Sequence, residues 1–160
     1  MGATLSFVEY LENATSTATP TNMNFGSTLS ANITPSLYPV TAGTNSYEKW
    51  LKLRFSGSFT RIENLQFWKS SGAYVVGESI TWTGQQTEYA APTESTSVYA
   101  SAALPTADPG TANVSIGGSL SGSLTATGDS DFIILQQVIT LDASAGATNQ
   151  KTLVFQYDEI

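Results

Sequence analysis

Apolar and polar positions alternate along much of this chain in short runs, and turn-forming residues end each run. Tyr47 to Phe55 is the clearest case. Leu51, Leu53 and Phe55 share one face, and Trp50, Lys52 and Arg54 share the other. Side chains two apart in a strand lie on the same side, so the aliphatics face a core and the Trp/Lys/Arg set faces outward. Ser56-Gly57-Ser58 interrupts the run. From Phe59 to Trp68 the positions Phe59, Arg61, Glu63, Leu65 and Phe67 resume spacing two, and Ile62 falls out of phase, which predicts a bend or bulge. Ser70-Ser71-Gly72 is a turn. Short strands follow at 74–76 and 78–83, the second with Ile80 and Trp82 on its buried face. Residues 132–141 are apolar on both faces and read as a central strand covered on both sides. Residues 152–157 close the pattern, with Leu153, Phe155 and Tyr157 facing in.

Other segments carry weaker signals. Residues 4–11 read as a short strand, 22–39 as one or two, and 97–104 and 113–116 as one each. Residues 120–124 suit either a strand or a loop. Asn13 to Asn24 is rich in Thr, Ala and Asn and reads as an exposed loop, within a possible extended arm over 12–45. There is no long helix and no fixed repeat, and the strands number about eight to ten. The pattern predicts an all-β single domain over 1–160, a two-sheet antiparallel sandwich of jelly-roll or Greek-key type, with a closed barrel as the alternative.

Composition narrows the chemistry. The chain has 160 residues. A domain of this size buries roughly 70% of the surface that its unfolded chain exposes, so a full core is available to it. Charged residues make up 12%, about half the usual share of about 25%. About a quarter of the residues are Ser or Thr, and His and Cys are absent. Disulfides, thiol chemistry and the usual Ser-His or Cys-His nucleophiles are thereby excluded, and zinc loses its preferred ligands. The net charge of −7 disfavours nucleic acid as a partner. Five of the six bases, Lys49, Lys52, Arg54, Arg61 and Lys69, lie in one stretch interleaved with Glu48 and Glu63, a pattern of cross-strand ion pairing or a charged interface. The first residues lack the basic and continuous apolar regions of a signal peptide, and no run approaches the ~20 apolar residues of a membrane span. Folding in a cytosol, without a membrane partner, is the expectation.

Few constellations remain. Asp129 and Asp131 flank Ser130 at a loop-to-strand junction and are weak metal candidates. A turn in which both carboxylates cap backbone N–H groups explains them better, because no full calcium loop surrounds them. Glu48, Glu63, Glu78 and Glu88 are the acids available for glycoside hydrolysis, yet no spacing singles out a pair. Glu63 lies at a core-facing phase, or it pairs with Arg61. Trp50, Trp68 and Trp82, with Tyr47, Tyr74, Tyr89 and Tyr99, suit a sugar platform, a core or an interface. Trp50 and Trp68 share faces with polar residues and are expected to be exposed. With Lys52, Arg54 and Lys69 they form the candidate protein interface, since Trp beside Arg is a common hot-spot composition. The sequons at Asn13, Asn32 and Asn113 are no more than this Ser/Thr content produces by chance. No catalysis and no cofactor are expected.

From Ser46 onward the chain resembles small virion structural proteins of tailed bacteriophages and prophages. The residues that carry the likeness are Ser46-Tyr47-Glu48-Lys49-Trp50-Leu51-Lys52-Leu53 and Ile62-Glu63-Asn64-Leu65-Gln66-Phe67-Trp68-Lys69. Pro105-Thr106-Ala107-Asp108-Pro109, Ser130-Asp131-Phe132-Ile133 and Phe155-Gln156-Tyr157-Asp158-Glu159 continue it. The likeness covers about two thirds of the chain and leaves out the N-terminal third. It implies a capsid decoration or cement protein, assembled in the host cytoplasm into the virion, a homo-oligomer (often a trimer) bound to the major capsid protein or other virion proteins. A tail or head–tail structural protein is the neighbouring expectation. A carbohydrate-binding β-sandwich is the alternative from another class.

Overall fold

The computed structural model describes residues 2–92, 95 and 99–160. Among them are nine strands and no helix: β1 (Ala3–Tyr10), β2 (Thr17–Ala18), β3 (Lys49–Gly57), β4 (Ile62–Ser71), β5 (Glu78–Gln86), β6 (Ala102–Ala103), β7 (Gly128–Asp129), β8 (Phe132–Ile139) and β9 (Thr152–Glu159). It follows that no helix here is long and apolar enough to cross a membrane. Every strand pairing is antiparallel. The larger sheet runs β2-β1-β3-β8-β5-β6 with β7 also beside β3, and the smaller sheet is β4-β9.

The alternation in β3 sets the architecture. Leu51, Leu53 and Phe55 join Ile133 and Leu135 of β8, Ile80 and Trp82 of β5, and Ile62, Leu65 and Phe67 of β4 in one buried cluster. The two sheets therefore face each other across a shared core, as in a β-sandwich. Rings clasp it: Phe67 stacks on Phe155 at 4.4 Å, Phe7 meets Phe155 at 5.1 Å, and Phe55 meets Tyr157 edge-on at 5.0 Å. β8 is buried on both faces, as the apolar residues on both faces of 132–141 predict. Ile133 and Leu135 enter the main core, whereas Phe132 and Ile134 enter a second cluster with Trp50 and Ala100 on the opposite side of the sheet.

Several expected strands do not form. Residues 22–39 are irregular, as are 74–76 and 113–116 apart from a one-residue bridge between Ile116 and Ser119. Residues 97 and 98 lie outside the described residues, and of the strand expected at 97–104 only Ala102–Ala103 appears. Backbone partnership explains 113–116. The Asn113 side chain accepts the Phe67 N–H at 2.8 Å and donates to the Phe67 carbonyl at 2.9 Å, imitating a strand with one residue. The amides of Asn113 and Val114 bond the Leu65 carbonyl, and the Lys69 amide bonds that of Pro105. Residues 105–114 thus close the outer edge of β4.

The segment 12–45 folds back on the domain. Ile33 is buried, and Met23 and Phe25 pack against the main core. The Asn32 side-chain oxygen accepts the amides of Thr21 and Asn22, from a backbone at φ 54° that Asn tolerates. Gly26 accepts the Tyr47 amide through its carbonyl, and Ser27 donates to the Tyr38 carbonyl.

The bulge expected near Ile62 falls between Glu63 and Gln66. It turns Ile62 and Leu65 inward and leaves Glu63 partly exposed, which corrects the core-facing phase expected for Glu63. Gly72, at φ +86°, ends β4 where the chain approaches Gln150: a Cβ there would lie 2.2 Å from the Gln150 carbonyl oxygen. Only glycine fits that turn.

Phe67→Ala removes the ring that joins both sheets. It should lower unfolding stability by about 3–5 kcal/mol in a denaturant titration. Leu141→Ser, at a side chain 85% exposed, should stay within about 0.5 kcal/mol of the parent.

Candidate functional site

The residues expected to form one interface separate into two places, and most are covered. Trp50 is completely buried. The outward face of β3 is roofed by Tyr89, Ala90, Tyr99 and Ala100, and Trp50 meets the rings of Tyr89, Tyr99 and Phe132 edge-on at 5.1, 5.0 and 5.2 Å. Tyr10 completes the box against Phe132 at 4.9 Å. The expectation that Trp50 is exposed is therefore corrected. The alternation of β3 holds, but its second face has its own apolar cover. The indole N–H of Trp50 has no hydrogen-bond partner among the described residues, which costs about 1–3 kcal/mol that the surrounding rings must offset.

Lys52 lies on the same face, its ammonium 4.3 Å from the centre of the Phe132 ring. Arg54 is exposed and forms a two-pronged pair with Asp129, Nε to Oδ1 at 2.8 Å and an Nη to Oδ2 at 2.9 Å. That hydrogen bond holds the guanidinium pKa above its ordinary value. Trp68 and Lys69 belong to the other sheet. Trp68 is only 9% exposed, which corrects the second exposed-Trp expectation. Lys69 is buried, donating to the Gly72 carbonyl at 2.8 Å with its ammonium 5.0 Å from the centre of the Tyr74 ring.

The two weak metal candidates have separate partners. Asp129 is committed to Arg54. The Asp131 carboxylate is buried and accepts the Ser115 hydroxyl at 2.6 Å and the Gly118 amide at 2.7 Å, tying a glycine turn to the start of β8. Asp131 thus holds a backbone N–H as the turn reading expects, whereas Asp129 differs from it by pairing with a side chain. Among the described residues no three acids gather into a metal-holding group.

The four acids considered for hydrolysis are likewise dispersed. Glu48 accepts the amides of Tyr99 and Ala100 at 2.8 and 2.9 Å, anchoring the roof over Trp50. Glu63 is held by Arg61 at 2.9 Å. Glu78 is bound by Lys151, by the Gln137 side chain at 2.8 Å and by the Val75 amide at 3.1 Å. Glu88 lies beyond β5, its carbonyl bonded by the Gln86 side chain. A shallow cleft of about 280 Å³ is lined by Glu63, Asn64, Ala112, Leu120, Ser121 and Gly122. Its single acid is the one already paired with Arg61.

One buried ion pair went unmarked in the sequence, where Lys49 is only a member of the basic stretch. Lys49 and Glu9 pair at 2.7 Å with both side chains almost fully covered, joining β1 to β3. Their spacing of forty residues leaves no local signal. The tyrosines report the same dryness. Burial pushes Tyr89 up to about 12, and its hydroxyl donates to the Leu11 carbonyl. Tyr10 and Tyr74 are also raised, burial being the main cause in each.

Comparison of the chain with protein-family models, curated proteins and solved structures gives no match.

Lys49→Met strands the Glu9 carboxylate and should cost about 3–5 kcal/mol in a denaturant titration, most of it recovered in the Glu9→Leu/Lys49→Met pair. The tyrosine shifts predict alkaline weakening. The unfolded chain loses the Tyr89 proton near its ordinary value of 10.0, and the folded chain keeps it up to about 12. The folded state therefore binds more protons in that window, and stability falls as pH rises from 10 toward 12. Denaturation midpoints across this range should decline more gently in Tyr89→Phe than in the parent.

Proposed function

We propose that this protein is a structural component of a phage virion, a capsid decoration or stabilisation protein that works by contact and performs no catalysis. One observation supports the reading above others. The acids and bases that could do chemistry are spent on internal partners, with Arg54 on Asp129, Lys49 on Glu9, Lys151 on Glu78 and Asp131 on Ser115 and Gly118. What such a chain offers other molecules is shape, strand edges and a mild Ser/Thr surface. The resemblance of residues 46 onward to small virion proteins points the same way. Its partners are the major capsid protein and further copies of itself, and it joins the particle in the host cytoplasm.

The finer architecture we assign is of jelly-roll type, supported by a chain that changes sheets at β3–β4, β4–β5 and β8–β9. A sugar platform is disfavoured, because Trp50 and Trp68, the indoles it would expose, are covered.

Deleting the gene from the phage that carries it tests the proposal. Heads without the protein should be lighter and should release DNA at a lower temperature, and added protein should restore both. Heads of unchanged mass and heat resistance would overturn it.

A further inference from the structure

The two strands at the open side of the sandwich are finished differently. On β1, the Ala3 N–H donates to the Glu159 carboxylate at 2.8 Å, β2 pairs Glu9 and Tyr10, and the Leu11 amide bonds the Ser16 carbonyl. Among the described residues, only Leu5 and Phe7 between them are left with outward amides. That is a blunted edge.

β9 has no such protection. Its backbone direction follows from its neighbours. The Phe67 N–H and C=O are taken by Asn113 and the Lys69 N–H by Pro105, so both residues turn away from β9. Phe155 and Leu153, directly opposite them, turn their own N–H and C=O away from β4. The Ile160 amide bonds the Arg61 carbonyl, which puts the even-numbered residues toward β4 and leaves Tyr157 with the outward set. Among the described residues no backbone group bonds this outer edge. Thr152-Leu-Val-Phe-Gln-Tyr157 carries no charge, no Pro and no Gly. Such a run on an open edge pairs with another strand.

We propose that β9 is a self-association edge, on which a second copy of this chain pairs its own β9 antiparallel about a twofold axis at Phe155. In that register Phe155 meets its own counterpart, and Leu153 meets Tyr157. These are the residues whose backbone groups face out, so each pair exchanges two hydrogen bonds. Leu153, Phe155 and Tyr157 also turn their side chains toward the core, so pairing continues the apolar layer from one copy to the next. Charge selects the direction. Antiparallel pairing sets Asp158 of one copy against the neutral Thr152 of the other and keeps the acids at the end of β9 apart, whereas parallel pairing would stack acid on acid; Lys151 stays with Glu78 and Glu159 with the Ala3 N–H. The pairing is isologous and closes at two copies, in place of the trimer that the resemblance implies. It stands independently of the capsid reading.

Thr152 is exposed, so changing it tests the register with little effect on the fold. Sedimentation of the full chain from low to high micromolar concentration should give a monomer–dimer equilibrium. Thr152→Asp, facing Asp158 twice in the dimer, should weaken it about fivefold, and Thr152→Lys should strengthen it to a similar extent. Amide exchange at Leu153, Phe155 and Tyr157 should slow as concentration rises. A chain that stays monomeric throughout, a trimer, a dimer with those three amides unprotected, or equal dimer affinities for the two Thr152 variants would overturn the proposal.

Discussion

A strand with no wet face organises this protein. β8 runs Phe132-Ile-Ile-Leu-Gln-Gln, and all six side chains are buried. A sheet strand of that kind cannot end at one core, because its second face would expose Phe132 and Ile134. The smaller sheet covers one face. The Trp50 box, roofed by Tyr89, Tyr99 and Ala100, covers the other. Even the polar members of β8 follow the rule. The Gln136 side chain donates to the carbonyls of Ser46 and Ser95, and that of Gln137 to Glu78, so each buried amide reaches across to a different segment.

Buried polar groups act as ties between distant parts of the chain. Glu48 reaches Tyr99 and Ala100, Ser130 accepts the Leu53 amide, Asp131 holds Ser115 and Gly118, and Lys49 meets Glu9. Each joins segments that hydrophobic contact alone would let slide. The assembly role proposed above needs many identical copies that fold without covalent help and meet neighbours through shape, and a cysteine-free sandwich whose buried Glu9, Lys49, Glu78 and Asp131 have internal partners suits that role.

Much of both sheets was legible in advance. The segments 47–55, 78–83, 132–141 and 152–157 were readable because strict alternation, or apolar residues on both faces, has one structural solution. What escaped was non-local or carried by the backbone. Trp50 read as outward because its cover lies some forty residues away in a stretch without periodicity. Glu63 changed face because a bulge near Asn64 shifts the phase by one residue. Asn113 replaces a strand with a single side chain, which no propensity signals. The candidate interface mixed two sheets because charge and aromatic content do not report what lies above them. An open strand edge is invisible to side-chain patterning, since it concerns which amides point outward.

Native-state amide exchange tests the dependence on β8 most directly. If covering both faces of that strand is what completes the domain, the amides of Ile133, Ile134 and Leu135 should open only when the whole chain unfolds, with an exchange free energy equal to that of global unfolding. Exchange of those three amides through a smaller opening, at a free energy well below the global value, would contradict the account.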